Sequence, residues 1–98
     1  MSSQPFTTNF FSIAVTTAVV QVLSRNKLRT GYALCNRTAS TVYVGNSSSI
    51  GPTGTNSVRL LQNEIITVLE SENDDPSREL FAVATVASII EVIESTRL

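Results

Sequence analysis

The stretch Leu28 to Gly45, LRTGYALCNRTASTVYVG, constrains the fold more than any other part of the chain. A run of β-formers, Tyr32-Ala33-Leu34-Cys35, passes through Asn36 and a small-residue turn at Arg37-Thr38-Ala39-Ser40. It continues into a second alternating run, Thr41-Val42-Tyr43-Val44, closed by Gly45. Two short apolar runs joined by turn residues predict a β-hairpin. Nothing in the stretch is a reactive constellation, so it specifies a build and not a chemistry.

The 98 residues suffice for one domain with a single modest core. Val, Ile and Thr are abundant, and Ser and Thr together make about a quarter of the chain, a bias that suits half-buried pleated surfaces. An all-β class follows. With one cysteine and no histidine, an intrachain disulfide, a CxxC zinc site and any Ser-His or Cys-His catalytic pair are excluded. Cys35 lies in an apolar run and reads as a buried small hydrophobe. The pattern Asn-x-Ser/Thr at Asn36 and Asn46 is expected by chance in so Ser/Thr-rich a chain.

Phe10 to Leu23 is the most apolar segment. Thr16, Thr17 and Gln21 interrupt it, no basic region precedes it, and it falls short of the roughly 20 apolar residues of a spanning helix. The expectation is a soluble, intracellularly made protein. Apolar groups on both faces and the β-branched residues Val15, Thr16, Thr17, Val19, Val20 and Val22 predict one long, bent strand. Before it, Met1 to Asn9 is polar and has little to bury, so residues 1–9 are expected to be a flexible arm and residues 10–98 the domain.

After Gly45 the texture changes to Ser, Gly, Pro and Asn through Asn56, which marks an exposed loop. Strands are predicted at Ser57 to Leu61 and Ile65 to Glu70 around the turn Gln62-Asn63-Glu64, then at Leu80 to Thr85 and Ser88 to Glu94. Pro76 falls outside the sheet because it cannot donate to a ladder. Seven to eight short strands at this spacing predict a single antiparallel β-sandwich, jelly-roll-like or Ig-like, with little or no helix. Its expected core is Leu34, Val42, Val44, Leu60, Ile66, Val68, Phe81, Val83, Ile90 and Val92.

Candidate chemistry is sparse. Glu70, Glu72, Asp74 and Asp75 could offer oxygens to calcium, but lack the spacing of an EF-hand loop and read as a solvated acidic loop. Gly51-Pro52-Thr53-Gly54 lacks the length and lysine of a phosphate-binding loop. No catalytic residue, metal site or cofactor is expected. Charge is more informative: before Ile50 every charged residue is basic (Arg25, Lys27, Arg29, Arg37), whereas after Gly51 eight acids face three arginines. Four basic residues without an aromatic platform support no specific nucleic-acid site. Opposed patches meeting between subunits use the asymmetry better. Candidate partner-binding residues are therefore Arg25, Lys27 and Arg29, with Phe6, Phe10 and Phe11 as aromatic anchors near the N-terminus.

The order of elements resembles that of small β-sandwich virion proteins of tailed bacteriophages. The matching pieces are Arg29, Tyr32-Ala33-Leu34-Cys35-Asn36, Val42-Tyr43-Val44-Gly45, the Gly/Ser/Pro loop and Leu60-Leu61-Gln62-Asn63-Glu64-Ile65. Glu79-Leu80-Phe81-Ala82-Val83-Ala84 and Ile89-Ile90-Glu91-Val92-Ile93-Glu94 complete the match. Where that group tends to carry a glycine before the Ile65 strand, this chain has Asn63-Glu64, and Asn tolerates the left-handed conformation. The resemblance, over Leu28 to Glu94, implies a non-enzymatic role as a capsid cement or decoration subunit, or a head, neck or fibre-base component. It also implies a homotrimer that binds the major capsid protein or other virion subunits, made in the host cytoplasm and located in the virion. The competing expectation is a small intracellular module that uses its Ser/Gly-rich loop to bind a partner or sugar.

Overall fold

The computed structural model describes residues 6–51, 57–70 and 75–97. Eight strands form: β1 (Phe6–Val15), β2 (Val20–Leu23), β3 (Arg29–Asn36), β4 (Val42–Gly45), β5 (Val58–Leu60), β6 (Ile65–Leu69), β7 (Leu80–Ala84) and β8 (Ser88–Arg97). They make two four-stranded antiparallel sheets, ordered β1-β8-β3-β6 and β2-β7-β4-β5. Successive strands alternate between the sheets except at β4 and β5, which are paired neighbours. This interleaving is the jelly-roll arrangement, one of the two sandwiches expected.

The expected hairpin does not form. β3 pairs with β8 and β6 in one sheet, whereas β4 pairs with β7 and β5 in the other. The segment between them is a corner that crosses the core, and Asn36 holds it. Fully buried, Asn36 donates from Nδ2 to the carbonyls of Ser40 (2.6 Å) and Leu60 (3.0 Å). Its Oδ1 accepts from the amide (3.0 Å) and hydroxyl (2.6 Å) of Thr38. All the polar capacity that a turn would leave to water is met inside, so Asn36 has no surface to offer a glycan.

The long strand also divides. The Thr16 hydroxyl accepts the Ala18 amide at 3.2 Å, a local bond that competes with a ladder, while the Thr16 carbonyl takes the amide of Ala84 at 2.9 Å. The chain therefore passes from β1 in one sheet to β2 in the other. β1 starts at Phe6, so residues 6–9, expected in a loose arm, pair with Glu94 to Arg97 of β8. The rest of that arm, residues 1–5, lies outside the described residues. In the turn before β6, Asn63 adopts φ 62°, the left-handed conformation anticipated for it.

The two sheets enclose a core that includes Val15, Leu34, Val42, Leu60, Ile90 and Val92, with Ile66 and Val68 packed at its border. Phe81 is a correction. In β7 Leu80, Ala82 and Ala84 reach the cluster between the sheets, so strand parity turns Phe81 to the other face, where it is half-buried; Val83, on that same face, is buried as expected. Tyr32, Val22 and Leu23 belong to the core although the sequence did not single them out.

Candidate interaction surface

One face of each sheet must meet something other than the core. On the β1-β8-β3-β6 sheet, the register aligns the outward residues in rows across the strands. Thr8, Ser95, Gly31 and Leu69 form one row, Phe10, Ile93, Ala33 and Thr67 the next, then Ser12, Glu91, Cys35 and Ile65. Ala14 and Ile89 follow at the end. Several large apolar side chains on this face are exposed: Phe10 at 73%, Ile65 at 66%, Ile89 at 49% and Ile93 at 43%. These are the outward halves of strands whose other halves fill the core.

The third strand of this sheet carries only small side chains on its outer face, Gly31, Ala33 and Cys35. They form the floor of a trough between the β8 side chains on one side and the β6 side chains on the other. Two open depressions lie along it, of about 560 and 400 Å³, both touching Ala33 and Ile93. Leu69 closes one end by lying over Gly31; a Cβ at Gly31 would stand 2.7 Å from its Cδ2 and 3.3 Å from the Val68 carbonyl oxygen, so any larger residue would push the Leu69 side chain aside. Cys35 is half-exposed in this trough and not the buried hydrophobe expected.

Ion pairs frame the trough. Arg37 Nε donates to Glu91 Oε1 at 2.5 Å, and Arg97 Nη2 reaches both carboxylate oxygens of Glu70, at 2.7 and 2.5 Å. The hydrogen bond donated to Glu91, then the neighbouring Cys35 and the Glu91 charge, hold the Arg37 guanidinium protonated even more firmly than usual. Both pairs are exposed and contribute little to stability. Their effect is to leave the rims of the face without net charge.

The structure separates the six candidate partner-binding residues. Phe10 stands on the outer face, while Phe11, its neighbour, turns inward against the core by strand parity. Phe6 opens β1 opposite Arg97, and its side chain lies outside the described residues. Arg25 is exposed and sits 3.6 Å from Glu79. Lys27 is exposed in the turn before β3.

Arg29 is not a surface cation at all. Its side chain is 3% exposed and donates from Nε to Glu94 Oε2 (2.8 Å), from Nη1 to the carbonyls of Pro76 (3.1 Å) and Arg78 (3.4 Å), and from Nη2 to that of Ser24 (2.8 Å). One guanidinium thus ties two loops to β8. Three of the four basic residues of the first half pair with acids of the second half within the chain. The charge asymmetry that suggested contacts between subunits is largely consumed by folding.

The remaining candidates are less informative. Glu72 and Asp74 of the acidic loop lie outside the described residues, and among those described no three His, Cys, Asp or Glu side chains converge as metal ligands. Asp75 instead caps a turn: its carboxylate accepts the Ser77 hydroxyl (2.5 Å) and amide (3.1 Å), which hold it below the ordinary carboxylate range. In the described part of the Ser/Gly loop, the hydroxyls of Ser47 and Ser49 bond each other at 2.8 Å and Ile50 is buried. The trough itself was missed at the sequence level. Its one visible signal was the two-faced alternation of Ile89 to Glu94; Ala33 and Cys35 gave none.

The geometry has counterparts among solved structures. No protein-family model and no curated protein matches the chain. The stem and receptor-binding domain of the spike protein of bacteriophage PM2 superposes with a TM-score of 0.60 at 9% identity, over 88% of this chain. This chain spans 31% of the spike chain's length. A protein of Bacillus endospore appendages, which form disulfide-linked pili, superposes with a TM-score of 0.54 at 12% identity, over 99% of this chain and 92% of its own. At such identities the likeness establishes a shared all-β fold, the sandwich already read from the strand order.

Proposed function

We propose that the protein is a non-enzymatic structural subunit of a virion, a cement or decoration protein that assembles with its own copies, as a trimer, and attaches to the major capsid protein or other shell subunits. The observation that carries this reading is the uncovered apolar face of the β1-β8-β3-β6 sheet. With about 4.8 Å between strands and 3.4 Å per residue, its footprint is on the order of 500 Å². Thr8, Ser12, Thr67, Glu91 and Ser95 take part of that area, and the apolar remainder is comparable to the largest apolar patches of ordinary monomers, which are often functional. A phage spike and a pilus protein share the fold, which supports a structural role.

The test is co-sedimentation. Tagged protein mixed with shells assembled from the capsid protein of the same genome should pellet with them at a fixed ratio to capsid subunits. Protein that stays in the supernatant at every ratio, and is absent from purified particles, would refute the role.

A further inference from the structure

We infer that the trough over Ala33 and Cys35 receives the β1 rim of a second copy of this chain, with Phe10 as the inserted side chain. The inference rests on the structural-subunit reading and names the partner that covers its apolar face. Three observations point to a copy of the same chain and not to a foreign partner.

The first is shape. Phe10 stands 73% exposed on the edge strand of the sheet, while Ala33, two strands away in the same row, leaves a depression between β8 and β6. The backbones of the strands flanking β3 are about 9.6 Å apart, room for one ring between the side-chain walls. A projection and a hollow on one surface are both satisfied by a second copy, whereas a foreign partner would need to supply the complement of each.

The second is charge. Arg37 with Glu91 and Arg97 with Glu70 neutralise each other within the subunit, so the face does not repel itself. It also offers no field to attract a nucleic acid or an anionic surface. The third is area. A full face on each side would bury on the order of 1,000 Å² in total, the lower limit for a specific interface between proteins. Phe10 itself borders the depression that reaches Cys35, so projection and hollow lie side by side on the one face that the contact buries.

Cys35, the single cysteine, reports on the trough directly. At concentrations where sedimentation gives a mass above that of the monomer, alkylation of Cys35 by a maleimide should be slowed, and dilution should restore it. Phe10→Asp should yield a folded monomer by circular dichroism with a freely reactive Cys35. Ile65→Lys, on the far wall of the trough, should do the same, and Val58→Asp on the opposite sheet should behave as wild type. A wild-type monomer at all accessible concentrations overturns the inference, as does an oligomer in which Cys35 stays reactive or that survives both trough variants. Those last two outcomes leave attachment to shells standing; a trough-docked oligomer that never enters particles would instead defeat the virion role alone.

Discussion

At the scale of single residues, stability rests on a few polar side chains that are buried and fully used. Asn36 serves four hydrogen bonds at the corner between β3 and β4. Asn36→Ala would leave the Leu60 and Ser40 carbonyls without donors, and should cost about 2 to 3 kcal/mol in chemical denaturation. Arg29→Met would strand the Glu94 carboxylate, 15% exposed, and release two loops; breaking such a pair from one side is expected to cost about 3 kcal/mol. Asp75 adds a pH dependence. Its folded pKa is depressed, so its contribution is complete above the unfolded value of about 3.9 and is lost as pH falls through the lower folded value. Asp75→Asn should flatten the stability profile below about pH 4 and leave the rest of it parallel to wild type. A profile that keeps its acid slope in the variant would contradict this role. The sequence singled these residues out for other roles, because Asn36 and Arg29 look the same on paper whether they face water or the core.

At the scale of elements, most strands were legible and their partners were not. β5, β6 and β7 lie within a residue of the spans predicted from their turn-bounded runs, and β8 starts at Ser88 as predicted but runs three residues past Glu94 to Arg97, where it pairs with Phe6 to Thr8. The apparent hairpin failed because local alternation fixes that two strands exist, not which sheet each one joins; Asn36, buried under the corner, decided that. The long strand failed for a related reason: Thr16 bonds to its own neighbourhood, a choice that β-propensity cannot reveal. Parity decides the core. Leu60→Ala, at a fully buried position, should cost about 3 kcal/mol or more, whereas Phe81→Ala, on the other face of its strand, should cost less than half as much. At the turn into β6, Asn63→Gly should be nearly neutral and Asn63→Val should cost about 1 to 2 kcal/mol, since a β-branched residue tolerates φ of 62° poorly. Equal losses for both substitutions would show that the turn, and not the side chain's conformation, is being disturbed.

At the scale of the whole molecule, the sandwich solves one burial problem and leaves another. Residues such as Phe11, Ile13, Ile90 and Val92 satisfy the core, yet Phe10, Ile89 and Ile93 on the same two strands remain in water. The apolar residues on two faces of β8 were readable from its alternation. The place of the partner was not, because Gly31, Ala33 and Cys35 form a trough only once β8 and β6 flank them. Charge misled in the opposite direction: the basic first half and acidic second half suggested complementary subunits, and the fold pairs them with each other. What remains for assembly is an apolar, charge-neutral face. Sedimentation equilibrium of the intact 98-residue chain over a wide concentration range tests this most directly. The mass should rise from that of the 10.6 kDa protomer to that of a closed oligomer, unchanged by high salt because burial and not ion pairing drives assembly. A protomer mass at every concentration, or an oligomer that dissolves in salt, would contradict it.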